Sequence, residues 1–293
     1  MTDQSPVEQV ADDGGEASRA RPVRAKAARR MRGPSLAIQK VFGTAFRIWG
    51  RNLIPFTLLA LIVFAPMGWF LAWVDATPEF ADEDQRPYWL DYANLLLTRL
   101  SGLLVAAPVI GAVFAELRGK RVSLGTTLGP GLLRLPRAVG VAIAQGVVIF
   151  GAVIPAVLLA MVGVPLPLAV ILMFATAVLI VILMLGFYVA VPVAIVERCS
   201  VVWALVRSWR LTRGSRIRIF VVTLFFGLLG MLLGATAGGL LTIVFPDVPL
   251  WVWTTAVTAV VASMEAVFSA VVYHDLRLAI DGADPDEIAR VFE

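Results

Sequence analysis

Six long apolar runs alternate with short polar stretches along the chain, at residues 53–74, 95–117, 138–162, 167–191, 219–245 and 250–273. Each is about 20 residues or longer, enough to cross a hydrocarbon core about 30 Å thick at about 1.5 Å per residue. None alternates with the period of two that a barrel strand would show. In lipid a lone segment must satisfy its own backbone polar groups, so the pattern predicts six membrane helices in an all-α protein.

A second periodicity lies between the runs. Leu36, Ile38, Val41, Phe42, Ala45, Phe46 and Trp49 recur at helical spacing, with Lys40, Thr44, Arg47 and Arg51 on the other face. This predicts an amphipathic helix, capped by Ser35, lying at the membrane surface. A similar stripe of Val202, Leu205, Val206 and Trp209 follows a Ser200 cap, with Arg207, Arg210 and Arg213 on its polar edge and Gly214 as a stop. A weaker one, Leu124, Leu128, Leu132 and Leu135 with Arg134 and Arg137, contains Gly129, Pro130, Gly131 and Pro136 and is predicted as a broken helix. The octets AFRIWGRN (45–52), LLRLPRAV (132–139) and SWRLTRGS (208–215) share an arginine pattern. They divide the chain into three units of about 80 residues, each an amphipathic helix, a span out and a span back.

Charge orients this plan. Of the 25 Lys and Arg, all but Arg86 and Arg99 fall before the first run, in 118–137, in 197–218 or after the sixth run. Basic loops resist translocation, so these stretches and both termini are expected in the cytoplasm and 75–94 outside. The N-terminal arm, 1–33, is expected to be disordered. It carries a basic run, RARPVRAKAARRMR (19–32), suited to anionic headgroups. The first apolar run lies too far from the N-terminus, and is too long, for a cleaved signal. The membrane domain is expected at 34–280. In the tail, 281–293, Asp284-Pro285-Asp286-Glu287 reads as a helix start, and Ile288, Val291 and Phe292 as a short apolar stripe.

Composition narrows the function. Hydrophobic residues make up 59% and charged residues 16%, too few to coat a soluble domain. Cys199 is the single cysteine and His274 the single histidine, and no carboxylates cluster with them. No metal site and no cofactor are therefore expected. Nucleic acid is not an expected partner, because no aromatic interleaving or reading motif accompanies the basic run.

One acid stands deep in a run. Glu265 shares its helical face with Thr258, Ala262 and Ser269, which should turn it into the bundle. Gln145, at similar depth in the third run, is its expected hydrogen-bond partner. His274-Asp275 reads as a helix-end pair. Small residues recur every fourth position at Gly230, Gly234 and Gly238, at Thr258, Ala262, Ala266 and Ala270, and more loosely around Gly102 and Ala106. These faces are expected to pack within the chain, or against a second copy or another membrane protein. Pro66, Pro108, Pro155 and Pro192 are expected to kink some spans.

No phosphate-binding loop, HExxH, GxSxG or dinucleotide fingerprint is present. RSWRLTRGSRIRIF (207–220), YHDLRLAIDGADPDEIARVF (273–292) and AFRIWGRN (45–52) resemble the membrane domain attached to some bacterial glycerophosphodiester phosphodiesterases, and its stand-alone relatives of unknown function. The resemblance spans residues 36–292, with His274 where an aromatic or variable residue is expected. The family's phosphodiesterase activity belongs to a separate soluble barrel with acidic metal ligands and paired histidines, which this chain lacks. The resemblance thus implies a non-catalytic, six-span module of the bacterial cytoplasmic membrane. The expected function is a lipid-associated accessory or scaffold protein, with Arg47, Arg51, Arg134, Arg137, Arg207, Arg210 and Arg213 at anionic headgroups. The alternative is a small transporter or channel using Glu265. An intramembrane lipid-modifying enzyme would need a further buried polar partner beyond Gln145.

Overall fold

The computed structural model describes residues 38–77, 80, 87–119, 124–161 and 165–282. No strand occurs among them. Helix α1 (Ile38–Arg51) leads into α2 (Leu53–Ala76), and α3 (Tyr88–Leu117) returns. Next come α4 (Leu124–Met161), α5 (Leu166–Gly186) and, after a turn, α6 (Ala190–Glu197). Helix α7 (Val201–Thr212) leads into α8 (Arg216–Thr236), which continues through a π-helical turn (Ala237–Leu241) and a last α-helical turn (Thr242–Val244). Helix α9 (Leu250–Asp281) completes the described fold.

Six segments are long and apolar enough to cross a membrane: Leu53–Ala76, Tyr88–Leu117, Gly131–Leu159, Leu166–Glu197, Arg216–Val244 and Leu250–Asp281. Their outward side chains are large and bare. Ile54, Ile62, Phe174 and Met231 keep 70% to 76% of their surface uncovered. Such a surface would associate in water but costs nothing against acyl chains. The protein is a multi-pass membrane protein.

The packing follows a cyclic order. Each outgoing helix packs on its own returning helix: α2 on α3, α4 on α5, α8 on α9. Each also packs on the returning helix of the preceding unit: α2 on α9, α4 on α3, and more sparsely α8 on α5. The short helices follow suit, α1 on α9 and α7 on α6. The returning helices α3, α6 and α9 meet one another. This is the contact order of three hairpins closed into a ring, loosest between α5 and α8. Helix α9 is the main wall, burying Phe268, Val271, Val272, Tyr273 and Leu276. Helix α1 lays Val41, Ala45 and Ile48 on it, and Phe42 and Phe46 join Phe225 and Phe268 in edge-on aromatic contacts.

Glycines mark the closest crossings. A Cβ at Gly68 on α2 would run into the Thr255 hydroxyl on α9. One at Gly131 on α4 would lie 2.8 Å from the Pro108 Cα of α3. Without directional hydrophobic pressure in lipid, such close backbone approach is the main source of helix association.

Several expectations are corrected. The second span begins at Tyr88 rather than 95, and the sixth helix runs on to Asp281 rather than ending at 273. The segment predicted to break at Gly129–Pro136 is part of one continuous helix, α4. A proline removes one hydrogen bond but need not end a helix whose flank is packed, here through Gly131 on α3. The stripe Gly230, Gly234 and Gly238 does not pack within the chain, since a Cβ at any of them would meet nothing. The arm 1–33, Ser35, Leu36, residues 78, 79 and 81–86 of the 75–94 loop and the tail beyond Gly282 lie outside the described residues.

Candidate functional site

The fourth span is interrupted after Gly186. Residues 187–189 form a turn between α5 and α6. Pro192 explains it: its missing N–H leaves the Tyr188 carbonyl without the usual helical donor, and its ring crowds that carbonyl. Side chains from neighbouring helices bond the freed backbone. Ser208 Oγ and Thr212 Oγ1 donate to the Gly186 carbonyl at 2.9 and 3.1 Å. Gln145 Nε2 donates to the Phe187 carbonyl at 2.8 Å. A Cβ at Gly186 would overlap the Trp209 ring, so only glycine admits α7 this close. Arg216 in turn stacks on Trp209 with its guanidinium carbon 4.1 Å from the ring centroid.

Glu265 stands beside this break. Its side chain is exposed, so the expected turn into the bundle interior is not seen. Arg99 of α3 and Tyr188 are within electrostatic reach of it. The Tyr188 hydroxyl is buried without a hydrogen-bond partner among the described residues. No hydrogen bond joins Glu265 to Gln145, whose amide donor is taken by Phe187. The expected direct pairing is not formed; Gln145 bonds the broken backbone instead. Thr258, two turns along the same face of α9, lines a cleft of about 510 Å³ with Asp75, Asn94, Thr98 and Thr254 between α2, α3 and α9. Arg99 and Tyr188 were missed as site residues. The signal for Arg99 was in plain view as the one cation inside an apolar run of the sequence, whereas nothing in the sequence pairs Tyr188 with Glu265.

At the arginine-rich end the acids are bonded. Glu116 accepts from Asn52 Nδ2 at 2.6 Å and faces Arg51 at 3.5 Å. Glu197 accepts from the Tyr273 hydroxyl at 2.7 Å, and Arg207 Nε lies 3.5 Å from it. Arg207 also bonds Asp281, which Arg277 approaches to 3.9 Å. Burial is the largest single influence on the Arg207 guanidinium and favours its neutral form, but Asp281 and Glu197 together outweigh it and raise its pKa. Asp275 sits 3.9 Å from Lys40 and 3.7 Å from His274. Arg47, Arg134, Arg137, Arg210 and Arg213 have no carboxylate partner among the described residues. The seven sequence-selected arginines therefore divide into two internal clamps, Arg51 and Arg207, and five left free for something else. No grouping of three or more His, Cys, Asp or Glu suited to a metal occurs among the described residues.

Comparison with protein-family models, with curated proteins and with solved structures gives no match for this chain.

Proposed function

We propose that this protein is a non-enzymatic, lipid-associated module of a bacterial cytoplasmic membrane, with its arginine-rich end in the cytoplasm. One observation carries the reading. Arg47, Arg210 and Arg213 are exposed and lack acidic partners among the described residues. Helix α1, which bears Arg47, buries Val41, Ala45 and Ile48 on the bundle. Helix α7, which bears Arg210 and is followed by Arg213, buries Ala204, Ser208 and Leu211 but leaves Trp203 bare, with Val202 and Val206 of its expected apolar face. A guanidinium at that place has its stem on apolar surface and its head free for phosphate. Both short helices then lie along the headgroups as interfacial amphipathic helices. The basic loops and the resemblance of 207–220 and 273–292 to a non-catalytic membrane domain support the same assignment. Changing Arg47, Arg210 and Arg213 together to Gln is expected to cut the anionic lipid retained in native mass spectrometry several-fold while the spans remain inserted. Unchanged retention overturns the proposal.

A second reading, ion- or proton-coupled transport, is supported by the cleft lined by Asn94, Thr98 and Thr258 and by Glu265 two turns further along the same helix. Intramembrane carboxylates mark many ion paths. Purified protein in liposomes carrying a pH dye decides between the two. Proton flux lost in Glu265→Gln favours transport, and the absence of any flux removes it.

A further inference from the structure

The turn between α6 and α7 gathers charges that should repel. Arg134 and Arg137 lie one turn apart on α4, and Arg198 occupies the turn. Arg137 and Arg198 are both within electrostatic reach of Arg134. None has a carboxylate partner among the described residues. The nearest acid in sequence, Glu197, is already engaged by Tyr273 and Arg207.

Packing enforces the gathering. A Cβ at Gly140 on α4 would lie 3.0 Å from Val201 Cγ2, so α4 is pressed against the first turn of α7 one turn beyond Arg137. Arg198 itself has φ of 52°, a left-handed conformation that is uncommon outside glycine and holds this residue at the corner. The twelve-residue helix that follows points its N-terminus, with its partial positive charge, toward the same corner. Three cations held together without an acid lower the cost of binding an anion, and guanidinium forks match phosphate oxygens two at a time.

We propose that Arg134, Arg137 and Arg198 form a phosphate-binding site at the α4–α7 junction. The phosphate belongs either to a lipid headgroup or to a free phosphate species. The lipid source rests on the function proposed above, whereas the phosphate chemistry does not.

Cys199 provides a native reporter, because it adjoins Arg198 and lies within electrostatic reach of Arg137. A bound phosphate would shield the thiol and cancel the influence of Arg137, which favours the thiolate. The test uses the full chain in neutral detergent and measures Cys199 alkylation with and without each probe. The probes are inorganic phosphate, phosphatidic acid in mixed micelles, and phosphatidylcholine as control. Phosphatidic acid or inorganic phosphate is expected to slow alkylation at least threefold. Slowing by the lipid alone identifies a headgroup site, and slowing by both identifies a site for free phosphate as well. Arg137→Gln and Arg198→Gln should each abolish the slowing, Arg198→Lys should retain part of it, and Arg218→Gln should leave it intact. No slowing by either probe, slowing by phosphatidylcholine to the same degree, or slowing that survives both Gln variants overturns the site. Loss of lipid retention in the Arg47, Arg210 and Arg213 variant separates the two proposals, since it leaves this protection untouched.

Discussion

At the scale of single residues, most buried polar side chains among the described residues are bonded, with Thr57, Tyr188 and Trp253 among the exceptions. Tyr273 is fully buried and gives its hydroxyl to Glu197 at 2.7 Å. Hydrogen bonds to charged acceptors contribute about 1.5–3 kcal/mol, part of which Arg207 would retain after the tyrosine is gone. Tyr273→Phe is expected to destabilise the protein by about 1–2 kcal/mol, read as a lower unfolding midpoint in detergent. Combining it with Glu197→Gln should cost less than the sum of the two changes, because they remove one shared interaction. Additive costs would show that the bond contributes nothing. Cys199 offers a second check. Burial is the main influence holding its thiol above the ordinary value, with Glu197 adding to this and its own backbone hydrogen bond and Arg137 opposing. The neutral thiol is thus favoured in the folded protein. The thiolate, and with it alkylation, should appear at higher pH than for a free cysteine. A pH profile matching that of a small thiol in the same detergent would contradict the assignment.

At the scale of elements, local signals succeeded where one residue decides and failed where a neighbour does. Ser200 was legible as a cap, and its hydroxyl accepts from the Trp203 N–H at 3.4 Å. The apolar stripe of α1 was legible because Val41, Ala45 and Ile48 obey the helical period. The unbroken course of α4 was not legible. Its prolines argue for interruption, and the packing of Gly131 that sustains it is a property of α3. The break in the fourth span was half legible: Pro192 was visible, but not the hydroxyls of Ser208 and Thr212 or the Gln145 amide that stabilise it. The same docking yields a prediction. Gly186→Ala places a methyl in the Trp209 ring and should cost about 1–3 kcal/mol, the range for overpacking a tight contact. Trp209→Leu made alongside should recover part of that loss. If Gly186→Ala leaves the unfolding midpoint unchanged, α7 does not dock against the break.

At the scale of the whole molecule, the three-unit reading of the sequence and the cyclic packing order describe one arrangement. The octet pattern showed the units but not their neighbours. Which returning helix each outgoing helix would choose is set by glycine-level fit, such as Gly68 on Thr255, and the sequence does not mark that fit. The ring couples its parts in orientation. If the α4–α5 hairpin crosses the membrane one way, the α2–α3 and α8–α9 hairpins, which pack on it and on each other, must cross the same way. The arginine-rich ends of all three carry the acids Glu116, Glu197 and Asp275, and each faces a basic group from a short helix: Arg51, Arg207 and Lys40. Orientation is therefore a single choice, set by the basic loops. We predict that, in a Cys199→Ser background, Val248→Cys and Asp84→Cys react with an impermeant maleimide added outside right-side-out vesicles. Arg213→Cys and Gly282→Cys should react only after the vesicles are opened. The reverse pattern at all four would invert the protein but preserve the ring. A mixed pattern, with the two hairpin tips on opposite sides, cannot be drawn with these helix contacts and would refute the ring itself.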